Sequence, residues 1–248
     1  MEQIIAVHSP LGGVGKTSVA LNMALVAGKK GKRTLLVDFT LYGGLEMFFR
    51  LPDTSGKGLE PFISRMEQEE VPTLESLQSV IHMETEFDNV HVLTSPGVLR
   101  ADQLNRLQMT EILRQVKRLA YDVVILDCDA DLNHRTVVAL EEADHIIMPL
   151  LQDHQHCWRI LRSKEVLEQM HIPFTKVQLL LNRKRKYIPF SEVDLEDVVG
   201  SKLFAHIPDL GEVAVELANK GKGWFQISGL FQKRKMAKFN HAVGGLLS

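Results

Sequence analysis

The residues with the plainest chemical content lie in "HSPLGGVGKTS", His8 to Ser18, directly after the apolar run Ile4-Ile5-Ala6-Val7. Gly12, Gly13 and Gly15 precede Lys16 and Thr17, after a predicted strand and before a predicted helix. Glycines let the backbone turn tightly and aim its N–H groups inward, and the helix that follows adds its positive N-terminal end. A lysine in this place reaches the β- and γ-phosphates, and the hydroxyl of Thr17 can ligate Mg²⁺. The alternative is a glycine-rich turn that binds nothing. The full Gly-Gly-x-Gly-Lys-Thr run between strand and helix favours a phosphate site. The expected binding set is Gly12, Gly13, Val14, Gly15, Lys16, Thr17 and Ser18. Pro10 stands where the usual pattern has its first glycine.

Other reactive types are grouped less tellingly. "DHQHCW", Asp153 to Trp158, brings His154, His156 and Cys157 together. Imidazoles and a thiol can ligate zinc, but this spacing fits no standard closed site. His8 reads as a core or loop histidine, and Cys128 as a small buried hydrophobe. Arg183 to Lys186 is a basic run that can meet DNA, a phosphate or only solvent.

These residues need a frame. Predicted strands are Gln3–Val7, Thr34–Val37, Val90–Leu93, Asp122–Leu126, His145–Pro149, Lys176–Leu181 and Lys202–Ile207. Predicted helices are Lys16–Gly28, Leu74–His82, Met109–Leu119, Leu132–Glu142, Cys157–Gln169, Ser191–Val198, Glu212–Lys220 and Gly229–Leu247. Strands alternating with helices of this length predict βαβ units in one doubly wound, mainly parallel α/β sheet, with the glycine-rich loop after its first strand. No linker divides the chain, so residues 1–248 are expected to form one nucleotide-binding domain. Asp53–Pro72 is the least regular segment and is expected on the surface.

Composition agrees. The chain has 248 residues, 45% of them hydrophobic and 24% charged, with a net charge of -2. No global field selects nucleic acid or membrane. Two cysteines, far apart, exclude a disulfide framework and point to a reducing cytoplasm. No apolar run approaches the ~18 residues of a membrane span, and the first residues carry no basic leader or cleavage site. The C-terminal "ISGLFQKRKMAKFNHAVGGLLS" places Leu230, Phe231, Phe239, Val243, Leu246 and Leu247 against Lys233, Arg234, Lys235 and Lys238. Packing on the domain is the first expectation. Peripheral contact with anionic lipid at the inner membrane is the alternative.

"LGGVGKTSVALNMALVAGKKGKRTLLVD" resembles the ParA/MinD family of P-loop ATPases, whose deviant loop reads K-G-G-x-G-K-T. "YDVVILDCDADL", "LLLNRKRK" and "AHIPD" extend the resemblance along the chain. It implies ATP and Mg²⁺ as cofactors, with Thr17, Asp38 and Asp127 supporting the metal. It also implies that Asn182, Arg183 and Pro208 contact the adenine side. "LLVDFTLYGGLEMFFRL" and the segment from Asn182 to Gly223 are similar to the CpaE/TadZ branch, which serves pilus and other polar machinery. The implied function is a nucleotide-dependent positioning or assembly factor at a cell pole, acting as a homodimer with protein partners. The rivals are a DNA or plasmid segregation ATPase of the ParA type and a metal-insertion ATPase using His154, His156 and Cys157.

Two positions depart from the family. Leu11 replaces the signature lysine that crosses the dimer, and Thr40 replaces the second carboxylate of Asp-x-Asp after the second strand. A threonine is a poor general base near neutral pH. Losing one charged contact of this kind raises a barrier by ~3 kcal/mol or more. ATP binding with weak or absent hydrolysis is therefore expected, and no catalytic residue is assigned. Asp129 and Asp131 read as solvated loop acids, with substitution for the lost carboxylate as their alternative, and Glu46 ranks after them. Leu11 is expected at or near the subunit contact.

Overall fold

The computed structural model describes residues 3–51, 56–68, 72–83, 85, 87–186, 188–227 and 230–247. Seven strands form one sheet: β1 (Gln3–Val7), β2 (Thr34–Asp38), β3 (Val90–Leu93), β4 (Val123–Asp127), β5 (His145–Leu150), β6 (Val177–Lys184) and β7 (Leu203–Pro208). Their order is β3-β2-β4-β1-β5-β6-β7, and every strand pair is parallel. Each expected strand is present. The helices are α1 (Lys16–Lys29), α2 (Leu45–Phe49), α3 (Leu59–Glu67), α4 (Leu74–Ser79), α5 (Val98–Gln103), α6 (Arg106–Lys117), α7 (His134–Glu142), α8 (His154–Gln169), α9 (Glu192–Val199), α10 (Glu212–Asn219) and α11 (Leu230–Leu246).

Alternation along each strand assigns the two faces. Ile4, Ala6, Leu35, Val37, Val124 and Leu126 face one layer, built from α3, α6, α7, α8 and α9. Ile5, Val7, Leu36, Val123 and Ile125 face the other, where α1 and α11 pack. Both faces are covered, which is why the central strands read as unbroken apolar runs. α1 is buried nearly all round, from Val19 to Gly28.

Several boundaries differ from expectation, each for a local reason. Asn105 caps α6 by accepting from the backbone N–H of Gln108, which moves its start back from Met109. Asp153 caps α8 in the same way and draws His154, Gln155 and His156 into the helix. His82 leaves the helical pattern after α4 to form an antiparallel bridge with Val92. Asp53–Pro72 is corrected where it is described. α3 lies within it and buries Leu59, Phe62 and Ile63 completely, so this stretch contributes to the core. Its charged residues mask the amphipathic pattern from a reading by composition.

α11 resolves the C-terminal question in part. Gly229 lies outside the described residues, as do the side chains of Leu230, Phe231, Lys233 and Lys235. Met236, Phe239, Val243 and Leu247 are buried against the layer that holds α1, with the Phe239 ring edge-on to Trp224. The described apolar residues are thus taken up by the domain, leaving Arg234 and Lys238 outward. The membrane-contact expectation loses that apolar face. Among the described residues, no helix is long and apolar enough to cross a membrane.

Candidate nucleotide site

β1 lies in the middle of the sheet, between β4 and β5. Its C-terminal end releases the loop from His8 to Gly15 into the crevice where ligands of open α/β sheets bind. Val14 is fully buried and anchors the loop. Gly13 and Gly15 adopt φ of 71° and 88°, the left-handed region that side chains disfavour. A Cβ on Gly15 would also stand 2.6 Å from Asn182 Nδ2. α1 then starts with no side-chain cap and no acidic residue in its first turn. Its N-terminal amides and dipole are left for an anion. Lys16 Nζ donates to the Leu11 carbonyl at 2.8 Å, strapping the loop from within. Burial lowers the lysine's pKa, and the charges of Asp127 and Asp129 oppose that shift.

The β2–β4 register sets Asp38 opposite Asp127. Both are fully buried; Asp38 Oδ2 lacks a hydrogen-bond partner, and the Asp127 carboxylate is met by the Thr17 side chain but by no hydrogen bond of good geometry. Burial pushes Asp38 up to about 6, against the hydrogen bonds from Thr40. Burial, then the neighbouring Asp38 charge, holds Asp127 well above the usual carboxylate range, while Thr17 and Lys16 pull it down. Buried carboxylates are normally paired or bound to a cation. Unpartnered oxygens at the foot of a phosphate loop are the donor set of a hard divalent ion. Thr17, Asp38 and Asp127 therefore fit Mg²⁺.

A cavity of about 370 Å³ opens beside the loop, lined by Gly15, Ser18, Asn182, Arg183, Pro208 and Trp224 among others. The expected adenine-side residues Asn182, Arg183 and Pro208 are thus brought together with the loop. The register of β6 against β7 breaks between Leu181 and Lys184, and Arg183 sits at φ 52° in this bulge. Asn182 is more committed than its sequence suggests. Its Nδ2 donates to the Val14 carbonyl at 2.7 Å, and its Oδ1 accepts from the Arg183 N–H at 2.9 Å. In this arrangement the amide pins the phosphate loop to β6. Phe48, Arg185 and Trp224 also line the cavity. No phosphate or adenine motif marks Phe48 or Trp224, while Arg185 lies in the basic run Arg183 to Lys186. The Trp224 backbone N–H donates to Asn22 Oδ1 at 2.5 Å from a distant part of the chain.

The family comparison agrees with this geometry. A model of the family described as "AAA domain" matches residues 2–158. The chain belongs to this family, as a ParA/MinD-type P-loop ATPase. It is 24% identical over 233 residues to the septum site-determining protein MinD of Buchnera aphidicola, covering 90% of this chain and 83% of that protein. It is 32% identical over 149 residues to the chromosome-partitioning ATPase Soj of Thermus thermophilus, covering 59% of this chain and 53% of that one. The structure of Pyrococcus horikoshii MinD complexed with Mg-ADP superimposes with a TM-score of 0.78 and 22% identity, covering 100% and 99% of the two chains. That match establishes the shared fold.

Against this ParA/MinD frame the departures become concrete. Leu11 is only 5% exposed, so its side chain is already spent inside the domain. Little of that side chain is left for a partner to bury at or near a subunit contact. Thr40 donates its hydroxyl to Asp38 Oδ1 at 2.6 Å, and its N–H does so at 3.0 Å, so the proton it could offer a water is engaged. Asp129 is not a free loop acid. Its Oδ2 pairs with Arg135 Nη2 at 2.8 Å, its Oδ1 accepts from the Leu41 N–H at 3.2 Å, and Asn133 donates to it. Asp131 is exposed, and Glu46 accepts from the Gly44 N–H at 3.1 Å. Arg135 was not apparent from the sequence. It is 3% exposed, and it donates to the carbonyls of Phe39 and Ala101 as well as to Asp129. It ties the loops after β2 and β4 to α5.

The remaining candidates scatter. His8 is buried, with Nδ1 on the Asp129 carbonyl, and burial lowers its pKa to about 4. Burial pushes the Cys128 thiol well up. His154 lies on the Phe190 ring, His156 pairs with Asp153, and Cys157 is buried in the core. These side chains diverge, and the described residues hold no group of three or more His, Cys, Asp or Glu placed to hold a metal.

Proposed function

We propose that this chain is an ATP- and Mg²⁺-binding positioning factor that turns its nucleotide over slowly or not at all. The observation carrying this reading is the pairing of an intact phosphate cradle with a depleted hydrolytic set. Gly12, Gly13, Val14, Gly15, Lys16, Thr17 and Ser18 hold the phosphates. Asp38 and Asp127 hold the metal with Thr17, and Arg183 and Pro208 border the base. With Leu11 buried and Thr40 tied to Asp38, neither family group that would act on the attacking water or the developing charge is supplied. Binding then switches conformation and assembly, and the chain acts as a homodimer with protein partners in polar or pilus machinery of the CpaE/TadZ kind. Its relatives' names, septum site-determining and chromosome-partitioning, lie in the same class of positioning work. A site in the cytoplasm, at the pole or beside the inner membrane, follows from that role.

Calorimetric titration with ATP–Mg²⁺, run beside a phosphate-release assay, tests it. The parent binds, with release near background. Lys16→Ala removes a charge-assisted contact of ~1.5–3 kcal/mol, a loss of roughly 10- to 100-fold in affinity. Equal affinity of parent and variant removes this loop as the site, and rapid release by the parent removes the switch-only reading. The second reading, a DNA-segregation ATPase, draws on the outward basic residues Arg183, Arg185, Lys186, Arg234 and Lys238. It requires salt-sensitive duplex binding together with measurable hydrolysis.

A further inference from the structure

Behind the loop that walls the nucleotide cavity lies a second, strongly basic cleft of about 930 Å³. β6 runs out into Lys184, Arg185 and Lys186 on one side, and α11 passes with Arg234 and Lys238 on the other. Five basic side chains therefore face a lining that includes one acid, Asp209. That acid is already engaged by Arg185 Nε at 2.6 Å. Lys184 pairs with Glu192, whose other oxygen meets His206 Nδ1 at 2.7 Å. Lys186, Arg234 and Lys238 have no ion-pair partner among the described residues. Ile188, Pro208 and Leu210 supply an apolar wall.

Three unpaired cations around one concavity repel each other and gain most from a shared polyanion. The shape limits which polyanion. A cleft of this volume is sized for a small ligand, while a duplex or a bilayer needs an extended outer surface. A bilayer would also need apolar anchors, and the described ones on α11 are buried in the domain. Lysine and arginine together bind phosphate as point charge and as planar fork. We propose that this cleft binds a small ligand bearing two or more phosphate groups. The phosphates rest on Lys186, Arg234 and Lys238, and the ligand's apolar part lies on Ile188, Pro208 and Leu210. The site is separate from the phosphate loop. Arg185, Pro208, Asp209, Leu210 and Gly211 line both cavities, so one loop forms a common wall between them.

Inorganic tripolyphosphate, titrated calorimetrically at near-physiological salt, is the probe. The Lys16→Ala chain serves as background, so that the phosphate loop does not contribute. Binding persists in that background, and falls by roughly tenfold or more when Lys186→Gln, Arg234→Gln and Lys238→Gln are added. All three residues are exposed, and an unchanged melting temperature confirms an intact fold. Binding lost with Lys16→Ala alone, or unchanged in the combined variant, overturns the proposal. A short DNA duplex or phosphatidylglycerol vesicles that displace tripolyphosphate and bind more tightly through the same three residues also overturn it, by making the cleft part of a macromolecular surface.

Discussion

Asp38 and Asp127 carry a stability cost at the place proposed for the metal. Asp38 has its pKa raised by burial from 3.8 to about 6. A raised carboxylate favours the folded state when protonated, so its contribution is full below the unfolded value and is lost as pH rises through about 6. Without Mg²⁺, Asp38→Asn is expected to melt above the parent at pH 7.5. The difference should close as pH falls through the window from about 6 to about 4. His8 titrates in the opposite sense over part of this range, its pKa lowered from 6.5 to about 4, so the comparison with the variant is needed to isolate Asp38. Adding ATP and Mg²⁺ should reverse the order at pH 7.5, because only the parent keeps the metal's carboxylate. Melting curves at several pH values read this directly, and a variant less stable than the parent in metal-free buffer contradicts it. Gly15 gives a second residue-scale expectation. Gly15→Ala meets both an unfavourable φ and the Asn182 amide. It should release Asn182 from Val14 and weaken ATP binding while Gly12→Ala, with open space around it, does so less.

At the scale of elements, α7 acts through Arg135. This side chain joins the end of α5, the exit of β2 and the turn after β4, and the last two follow directly on Asp38 and Asp127. Removing one partner of a buried ion pair costs ~3–5 kcal/mol because the other charge is stranded. Asp129→Ala is therefore expected to destabilise by about that amount. Arg135→Met together with Asp129→Ala should cost less than the sum of the single changes. Urea unfolding of the three variants measures the coupling. Additive effects would show that the pair is incidental. α11 is a structural element by the same standard. Phe239 is completely buried against Trp224, which borders the cavity beside the glycine-rich loop. Phe239→Ala should cost about 3–5 kcal/mol and loosen the wall of that cavity.

For the whole molecule, assembly and turnover separate. Leu11 sits inside the domain, so Leu11→Asp should lower the melting temperature of the chain itself, whether or not a dimer is present. Sedimentation with and without ATP–Mg²⁺ is expected to show a homodimer in the parent. A strictly monomeric parent well above micromolar concentration contradicts that state. Leu11→Lys with Thr40→Asp restores the two family groups and should raise phosphate release. Unchanged release in a folded double variant means that more than these two positions limits hydrolysis.

The sequence by itself determined the sheet and the glycine-rich loop between β1 and α1, and it marked that loop as the candidate phosphate site. Those signals are local, because strand periodicity, glycine placement and the Lys-Thr pair act within a few residues of one another. It also marked Asp38 and Asp127 through their family resemblance. Only the tertiary structure decided which groups are free to act. Asn182 and Val14 are 168 residues apart, yet one hydrogen bond fixes the loop to β6. Asp129 reads as a solvated acid until Arg135 folds beneath it, and Leu11 reads as a side chain with its surface still to bury until the fold leaves it 5% exposed. The basic cleft likewise joins a loop near Lys186 to a helix near Lys238. A side chain's partners come from elements brought together by packing, and pairing decides whether a charge or amide is spent or available.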